Sequence, residues 1–510
     1  MKRLMNFRPA VLIPIVYGIG ISAFVLGLKS FNIVAIILVF TPVLTGAIYA
    51  FVKKKSLSLT LVWTIVFQLI LVFGFFNFKL RYDIFFSEKT VEGECLVKAV
   101  YEGESESNGV RYLNFAKAEI SDGETAIKGQ KITVSTTAEE KFEYGNVISF
   151  YADVSPAAKT YNGSRDLYAF SSGVRYTGKT DFSEFTVNGN RPDIFGSVRR
   201  KLENVVKSGT DEKNAAFINA MIFGDKTELS ASVLTGMKNA GVAHLFAVSG
   251  LHVGFITAMV YVLLKKIRVN RWISFAVTCA VSFFYCGICG FSPSSVRAFI
   301  MTAFFLLHRI VGVKYDMLNG VFLSAGILLL IKPEYLISYG FVLSYAAVIS
   351  ITVMVGPISR LLGFLPLSVR NSVSAVLAAQ IGTLPFSVAF FGYVSWISAY
   401  LNFIVIPLVS VLFVISLSSV AVSAILPFAK IFMFIPNILV GAANKFVSEI
   451  DFSFFTTPLA AGGFLALIYC AGILAASDLF NLKFSVKASV CSVALVLYVV
   501  FSQLFTFGIL

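Results

Sequence analysis

Two of the chain's three histidines, His244 and His252, stand with Ser249 in residues 241–254, a stretch that otherwise reads as membrane-spanning. Its sequence is Gly-Val-Ala-His-Leu-Phe-Ala-Val-Ser-Gly-Leu-His-Val-Gly. A polar or ionisable group in hydrocarbon is costly unless it faces a partner or a water-filled cavity, so such groups mark functional candidates. On a continuous helix Ser249 and His252 share one face, at i and i+3. A Ser–His pair suggests nucleophilic catalysis, but the chain shows no Gly-x-Ser-x-Gly turn, no evident carboxylate to orient the histidine and no arguable oxyanion hole. The hydrolase reading is set aside. His244 and His252 lie eight residues apart with no third ligand nearby, so they make no zinc site. Cys286 and Cys289 have the C-x-x-C spacing, but as a single pair in an apolar helix they read as small packing residues. No metal or other cofactor is expected. Two readings stay open for the 241–254 segment: a broken span whose polar groups bond across a helix interface, or part of a pore or substrate path.

The elements that must position these groups are membrane helices. Of the 510 residues, 57% are hydrophobic and 14% charged, whereas a soluble chain carries about 25% charged residues. Many apolar runs near 20 residues match the ~30 Å hydrocarbon core. The fold expected is a polytopic α-helical membrane protein of 11–14 spans with one small extracytoplasmic all-β, OB-like domain. Three spans come first, near 10–28, 31–51 and 57–78, within residues 1–80. The first is not a cleaved signal peptide, since it is long enough to span and lacks a small-residue cleavage site. Lys2, Arg3 and Arg8 precede it, and Lys53, Lys54 and Lys55 follow the second. The positive-inside rule then puts the N-terminus in the cytoplasm and residues 81–194 outside.

Residues 81–194 change character. Alternating runs at 94–101, 112–120, 131–135 and 147–154, punctuated by Gly, Asn and Asp, predict a small β-barrel of the OB type. Residues 195–241 read as amphipathic helices that lie at the outer membrane face or pack on the core. Residues 242–510 are almost continuously apolar, with spans near 242–264, 272–290, 295–312, 317–331, 335–356, 372–391, 396–426, 431–448, 459–477 and 484–506. The 396–426 run is too long for one straight span and is expected to break at Pro407 or to divide.

The net charge of +14 suggests nucleic acid until its distribution is read. Residues 92–193 hold 16 acidic and 11 basic residues, a net of −5. The excess of cations therefore lies elsewhere, mostly in short loops that the positive-inside rule already explains. Within the external segment, Lys159, Tyr161, Arg165, Tyr168, Phe170, Arg175, Tyr176 and Lys179 interleave cations with aromatics. Sequence-neutral single-strand binding needs that combination. The same residues read equally as a barrel core with solvated charges, and the domain's net acidity opposes a broad DNA surface.

A set of collinear pieces carries a family resemblance. Met221-Ile222-Phe223-Gly224-Asp225-Lys226 leads to Asn239-Ala240-Gly241-Val242-Ala243-His244-Leu245 and Ala247-Val248-Ser249-Gly250-Leu251-His252-Val253. Then come Ser292-Pro293-Ser294 with Arg297-Ala298, Asp316 with Asn319, Gly340-Phe341-Val342-Leu343-Ser344-Tyr345, Ala379-Gln380-Ile381-Gly382 and Leu401-Asn402-Phe403. Together these resemble the ComEC competence-protein family, from about 215 to 410. The resemblance implies a multi-pass protein of the bacterial cytoplasmic membrane that carries single-stranded DNA inward during natural transformation. Residues 242–510 would then form the channel domain. Ser249, His252, Arg297, Asn319, Ser344, Gln380 and Asn402 become candidates for lining or gating the path, each with interhelical hydrogen bonding as its plain alternative. Gly224, Asp225 and His244 belong to the motif without an assigned role. Membrane lipids and single-stranded DNA are the implied partners, with a DNA receptor outside, a separate nuclease and a cytoplasmic helicase beside them. No Walker motif supplies energy within the chain.

The chain departs from the family in several places. Val342 stands where the family commonly has Gln, and Arg165 takes an aromatic position. The H-x-H-x-D-H motif of the metallo-β-lactamase-like domain of larger members is missing, so no nuclease activity is expected of this chain and it is not read as an enzyme. Cys95 has no partner in its domain for a disulfide. A secondary transporter for a small solute would also use broken helices, and an intramembrane Ser/His enzyme is the third alternative.

Overall fold

The structure is a computed structural model that describes residues 9–25, 57–87, 91–107, 110–123, 126–137, 140, 142–156, 167–180, 185–190, 194–312, 315–426, 428–450, 452–459, 463–477 and 484–506. The expected second span, 31–51, lies outside the described residues. Helices α1 (Pro9–Val25) and α2 (Leu57–Ser87) pack together closely. A Cβ added to Gly74 would sit 2.5 Å from the Tyr17 carbonyl, so the two backbones touch where a side chain is missing. That is how membrane helices gain packing energy without a hydrophobic drive between them.

The segment of alternating runs folds as the β domain foreseen from that alternation. Strands β1 (Gly93–Ser107), β2 (Val110–Ser121), β3 (Ala126–Thr136) and β4 (Asn146–Pro156) are followed by the short helix α3 (Leu167–Ser172) and by β5 (Val174–Thr180) and β6 (Thr186–Asn190). The order is β1-β2-β3-β5-β4, and β1 also pairs with β4, which closes a five-stranded barrel; β6 adds to β4. Among the described residues only β3 and β5 run parallel. Val97, Leu113, Ile120, Val134, Ile148 and Tyr176 fill the interior. Cys95 is also buried there, as a free thiol.

Helices α4 (Ile194–Gly209), α5 (Glu212–Phe223) and α6 (Ala231–Asn239) connect the barrel to the membrane domain. Of the two placements expected for these helices, α5 takes the packed one. Every residue of α5 from Ala215 to Phe223 is buried. The sequence Ala-Ala-Phe-Ile-Asn-Ala-Met-Ile-Phe is apolar nearly all round, and such a helix belongs inside.

The membrane domain continues with α7 (Gly250–Lys266), α8 (Arg271–Ile288), α9 (Pro293–Val311), α10 (Met317–Ile331), α11 (Tyr339–Leu361) and α12 (Leu367–Phe391). After strand β7 (Tyr393–Ser395) come α13 (Ser398–Ile425), α14 (Ala429–Phe432), α15 (Phe434–Glu449), strand β8 (Thr456–Pro458), α16 (Gly463–Ala476) and α17 (Phe484–Thr506). Among the described residues, five helices are long and apolar enough to cross a membrane: α8, α9, α11, α12 and α13. The protein is a polytopic helical membrane protein with a small β domain. Two spans differ from expectation. The break foreseen at Pro407 does not occur, since α13 runs unbroken for 28 residues with Pro407 inside. Bundled membrane helices tolerate proline because neighbours and local adjustment satisfy the freed carbonyl. The 242–264 span is broken instead, at its start.

Helices α11 and α12 cross closely. Ser350 Oγ donates to the Ala378 carbonyl at 2.6 Å, and a Cβ on Gly382 would come within 2.6 Å of Ser350 Oγ. Gly382→Val is expected to force these helices apart and to sharply lower the yield of monodisperse protein on size exclusion, whereas Gly382→Ala with Ser350→Gly recovers it.

Candidate functional site

The family-like segment is an irregular passage between α6 and α7. Helix α6 ends in a Schellman turn: Gly241 N–H bonds the Lys238 carbonyl and Val242 N–H bonds the Met237 carbonyl, each at 2.9 Å. Gly241 sits at φ 70°, where a Cβ is unfavourable, and an added Cβ would overlap Ser398 Cβ. A 3-10 turn over Ala243–Phe246 follows, then extended backbone to Ser249. Val242, Phe246 and Val248 are buried in the core formed with α5, α8 and α13. Non-helical backbone survives in a membrane domain only when buried in protein or lining water.

Ser249 and His252 meet, but as a helix start. Ser249 is the N-cap of α7, and its Oγ accepts the Leu251 N–H at 3.2 Å. The His252 ring reaches back, and its Nδ1 accepts the Ser249 N–H at 3.0 Å. This is a capping box with histidine in the place usually taken by Glu or Gln. The expected shared face of a continuous helix is thereby corrected: Ser249 stands outside the helical turn. The box commits the Nδ1 lone pair of His252 and an acceptor lone pair of Ser249 Oγ to backbone N–H groups. His252 is buried with its ring 4.5 Å from that of Phe413 on α13. His244, in the 3-10 turn, is exposed.

Helix α9 begins against this break. Ser292 is its N-cap and Pro293 occupies its first turn, a start legible in sequence. Ser294 Oγ donates to the Val248 carbonyl at 2.7 Å, tying the two helix starts together. Arg297, one turn along, is 6% exposed. Its guanidinium lies 5.6 Å over the Tyr345 ring of α11, and Nη2 is 2.8 Å from where a Cβ on Gly250 would stand. Ser344 is the partly buried neighbour of Tyr345, whose hydroxyl meets Ser324 of α10 at 3.0 Å.

The other end of the segment gathers a second polar group. Gln380 Nε2 donates to Ser398 Oγ at 2.7 Å, the serine that crowds Gly241, and Ser395 Oγ donates to the Asn239 carbonyl at 2.6 Å. Asn402, one turn beyond Ser398, is buried with no partner for its Oδ1. Asn319 stands apart on α10, where Asp316 caps the helix by accepting the Leu318 and Asn319 N–H groups. The Asp-x-x-Asn piece is therefore a helix start first. Cys286 and Cys289 donate to the Ser295 and Ile222 carbonyls within the packed core.

Gly224 and Asp225 acquire physical roles. Gly224 closes α5 in the left-handed conformation at φ 79°. Asp225 Oδ1 accepts both the N–H and the hydroxyl of Thr227, at 3.1 and 2.7 Å, folding an Asx turn. Its Oδ2 pairs with Arg199 of α4, which also holds Glu203 at 2.6 Å. The Arg199 guanidinium lies 5.2 Å over the ring of Tyr144, in the barrel, and Arg200 donates to the Tyr144 carbonyl. Burial favours loss of the Arg199 proton, but Glu203 and Asp225 outweigh it and hold the guanidinium above its ordinary range. Burial keeps the Glu203 carboxyl above its usual range, against the pull of Arg199. This cluster joins α4, the motif loop and the barrel. Nothing in the sequence couples Arg199 to a residue 26 positions away, and Ser294 and Ser398 are equally silent.

The aromatic–cation candidates of residues 159–179 divide. Lys159, Tyr161 and Arg165 lie outside the described residues, as does the side chain of Tyr168. Phe170 is buried in an aromatic cluster with Phe78, Tyr82 and Phe85 of α2. Tyr176 is buried in the barrel, and Arg175 is 6% exposed beside Phe85. This corrects the stacking expectation for Phe170, Arg175 and Tyr176, because a buried ring presents no face to a base. Lys179 is exposed.

A family model described as Competence protein matches residues 221–482. ComE operon protein 3 of Bacillus subtilis (strain 168) is 27% identical over 269 residues, 52% of this chain and 34% of that protein. Recombination protein 2 of Haemophilus influenzae is 27% identical over 193 residues, 36% of this chain and 24% of that protein. An uncharacterized protein, YcaI, of Escherichia coli (strain K12) is 25% identical over 207 residues, covering 38% and 27%. The chain thus spans 34% or less of the length of each of these three relatives. No solved structure matches it. The family match covers more than half of the residues and contains the Gly224–Asp225 turn, the broken segment and Arg297, and on that extent the chain belongs to the Competence protein family.

Proposed function

We propose that this protein is the conduit through which single-stranded DNA crosses the cytoplasmic membrane in natural transformation, with its N-terminus inside and the barrel outside. The observation that carries the reading is the broken passage at 241–249, anchored among α5, α8 and α13 by Val242, Phe246 and Val248 while His244 and Ala247 stay exposed, with polar side chains at both ends. Ser249, His252 and Arg297 gather at one end, with Ser344 beside the Tyr345 ring, and Gln380 and Asn402 cluster at the other. A polyanion cannot cross hydrocarbon, so its route must pass such groups. In a cell that is negative inside, inward movement of each phosphate is opposed by about 2.3 kcal/mol per 100 mV. A cytoplasmic helicase that pulls or traps the strand fits that requirement, as do a receptor that delivers DNA to the barrel side and a nuclease that supplies the single strand. No catalytic step is assigned to this chain, since Ser249 and His252 are occupied in capping α7.

The test is uptake of labelled DNA into the cytoplasm of cells lacking the gene. Uptake is expected to vanish, to return with the parent gene, and to stay strongly reduced with His252→Ala at equal membrane abundance. His252→Gln, which keeps a capping acceptor, is expected to recover most of it. Normal cytoplasmic uptake in the deleted strain would overturn the proposal and turn attention to transport of a small solute.

A further inference from the structure

Three positive groups meet at the broken segment without a carboxylate among them. The first is the N-terminus of α7 at Gly250, a helix of 17 residues. The second is the N-terminus of α9, held beside it by the bond from Ser294 to the Val248 carbonyl and by the approach of Ala298 Cβ to the Gly250 Cβ position at 3.4 Å. The third is the guanidinium of Arg297, whose Nη2 points at Gly250. Arg297 is 94% buried by its 6% exposure, and its Nε has no partner. Its Nη1 reaches the Met301 sulfur at 3.8 Å, and the guanidinium carbon lies 5.6 Å over the Tyr345 ring, a contact that brings no negative charge. No carboxylate among the described residues pairs with it. Each helix N-terminus carries about half a positive charge, and a buried cation needs a counter-charge. Gly250 is what permits the approach, since any side chain there would displace the guanidinium.

We infer that Arg297 and the N-terminal turn of α7 form an oxyanion site that takes a phosphate group. A guanidinium offers parallel N–H donors that fit two oxygens of a phosphate, and helix N-termini favour the same ligand. The site rests on the conduit reading for its natural ligand, the phosphodiester of a passing strand; a free phosphate or a lipid headgroup carries the same chemistry. With a phosphate in place, the two helix starts are held together.

The experiment uses the full chain in nanodiscs of phosphatidylcholine, with heat resistance read in chloride and in inorganic phosphate. Parent protein is expected to gain heat resistance in phosphate. Arg297→Met is expected to be at least as resistant as the parent in chloride, because it removes a buried cation that has no carboxylate opposite it, and to gain nothing from phosphate. Oligothymidylate binding is read alongside. Arg297→Gln is expected to weaken it and to lower the salt slope by about 0.7, the loss of one phosphate contact, with Arg297→Lys retaining the slope. Gly250→Ala should act like Arg297→Gln. Equal phosphate stabilisation of parent and Arg297→Met would overturn the site, even if DNA uptake persists. Arg297-dependent stabilisation by inorganic phosphate or by phosphatidylglycerol nanodiscs, without oligothymidylate binding, would keep the site and overturn the conduit reading.

Discussion

Asp225→Ala is expected to lose about 3 kcal/mol of stability, the scale for breaking a buried ion pair from one side. The variant leaves Arg199 facing Glu203 alone, and it removes the acceptor for both the N–H and the hydroxyl of Thr227. Because Arg199 also lies over Tyr144, the loss reaches the contact between barrel and helices. Asp225→Asn separates the two contributions. The amide oxygen keeps the Asx turn, while the charge opposite Arg199 is gone, so an intermediate loss follows. Size exclusion in detergent after a graded heat challenge checks both variants. An Asp225→Ala protein as resistant as the parent would show that the cluster does not hold these elements together.

The second large effect is expected at Gly241. Gly241→Ala places a Cβ at φ 70°, which costs about 1–2 kcal/mol, and drives it into Ser398 Cβ, an overpacking cost of roughly 1–3 kcal/mol. The sum, about 3 kcal/mol, falls on the residue that turns the chain from α6 into the broken segment. The double variant Gly241→Ala, Ser398→Gly removes the overlap and leaves the backbone cost, so it recovers part of the loss. It also removes the hydroxyl to which Gln380 donates. Heat resistance of the three proteins, read with DNA uptake, tests the argument. Additive losses in the double variant would show that the two residues do not press on each other.

How far the site is legible before folding differs from residue to residue. The Ser292-Pro293 start of α9 and the Asp316 cap of α10 follow from residue types that satisfy free N–H groups at helix ends. The barrel follows from period-two alternation, whose spacing already separates inside from outside. The role of Ser249 and His252 does not follow. Their three-residue spacing fits a shared helical face and a capping box alike, and only the position of the helix start separates the two. Phe170 and Tyr176 show the same limit, since an aromatic next to a cation has one composition whether it faces a base or a core.

Sequence by itself determined the membrane character, the division into barrel and bundle, and the family, because hydropathy, alternation and motif order are local properties of the chain. Tertiary structure alone decided which polar groups meet. Arg199 reaches Asp225 across 26 residues, Gln380 reaches Ser398, and Arg297 comes to rest at the start of α7 without a counter-charge. Such pairings depend on how the helices pack against one another, and packing is set by the summed fit of many side chains that no local pattern records.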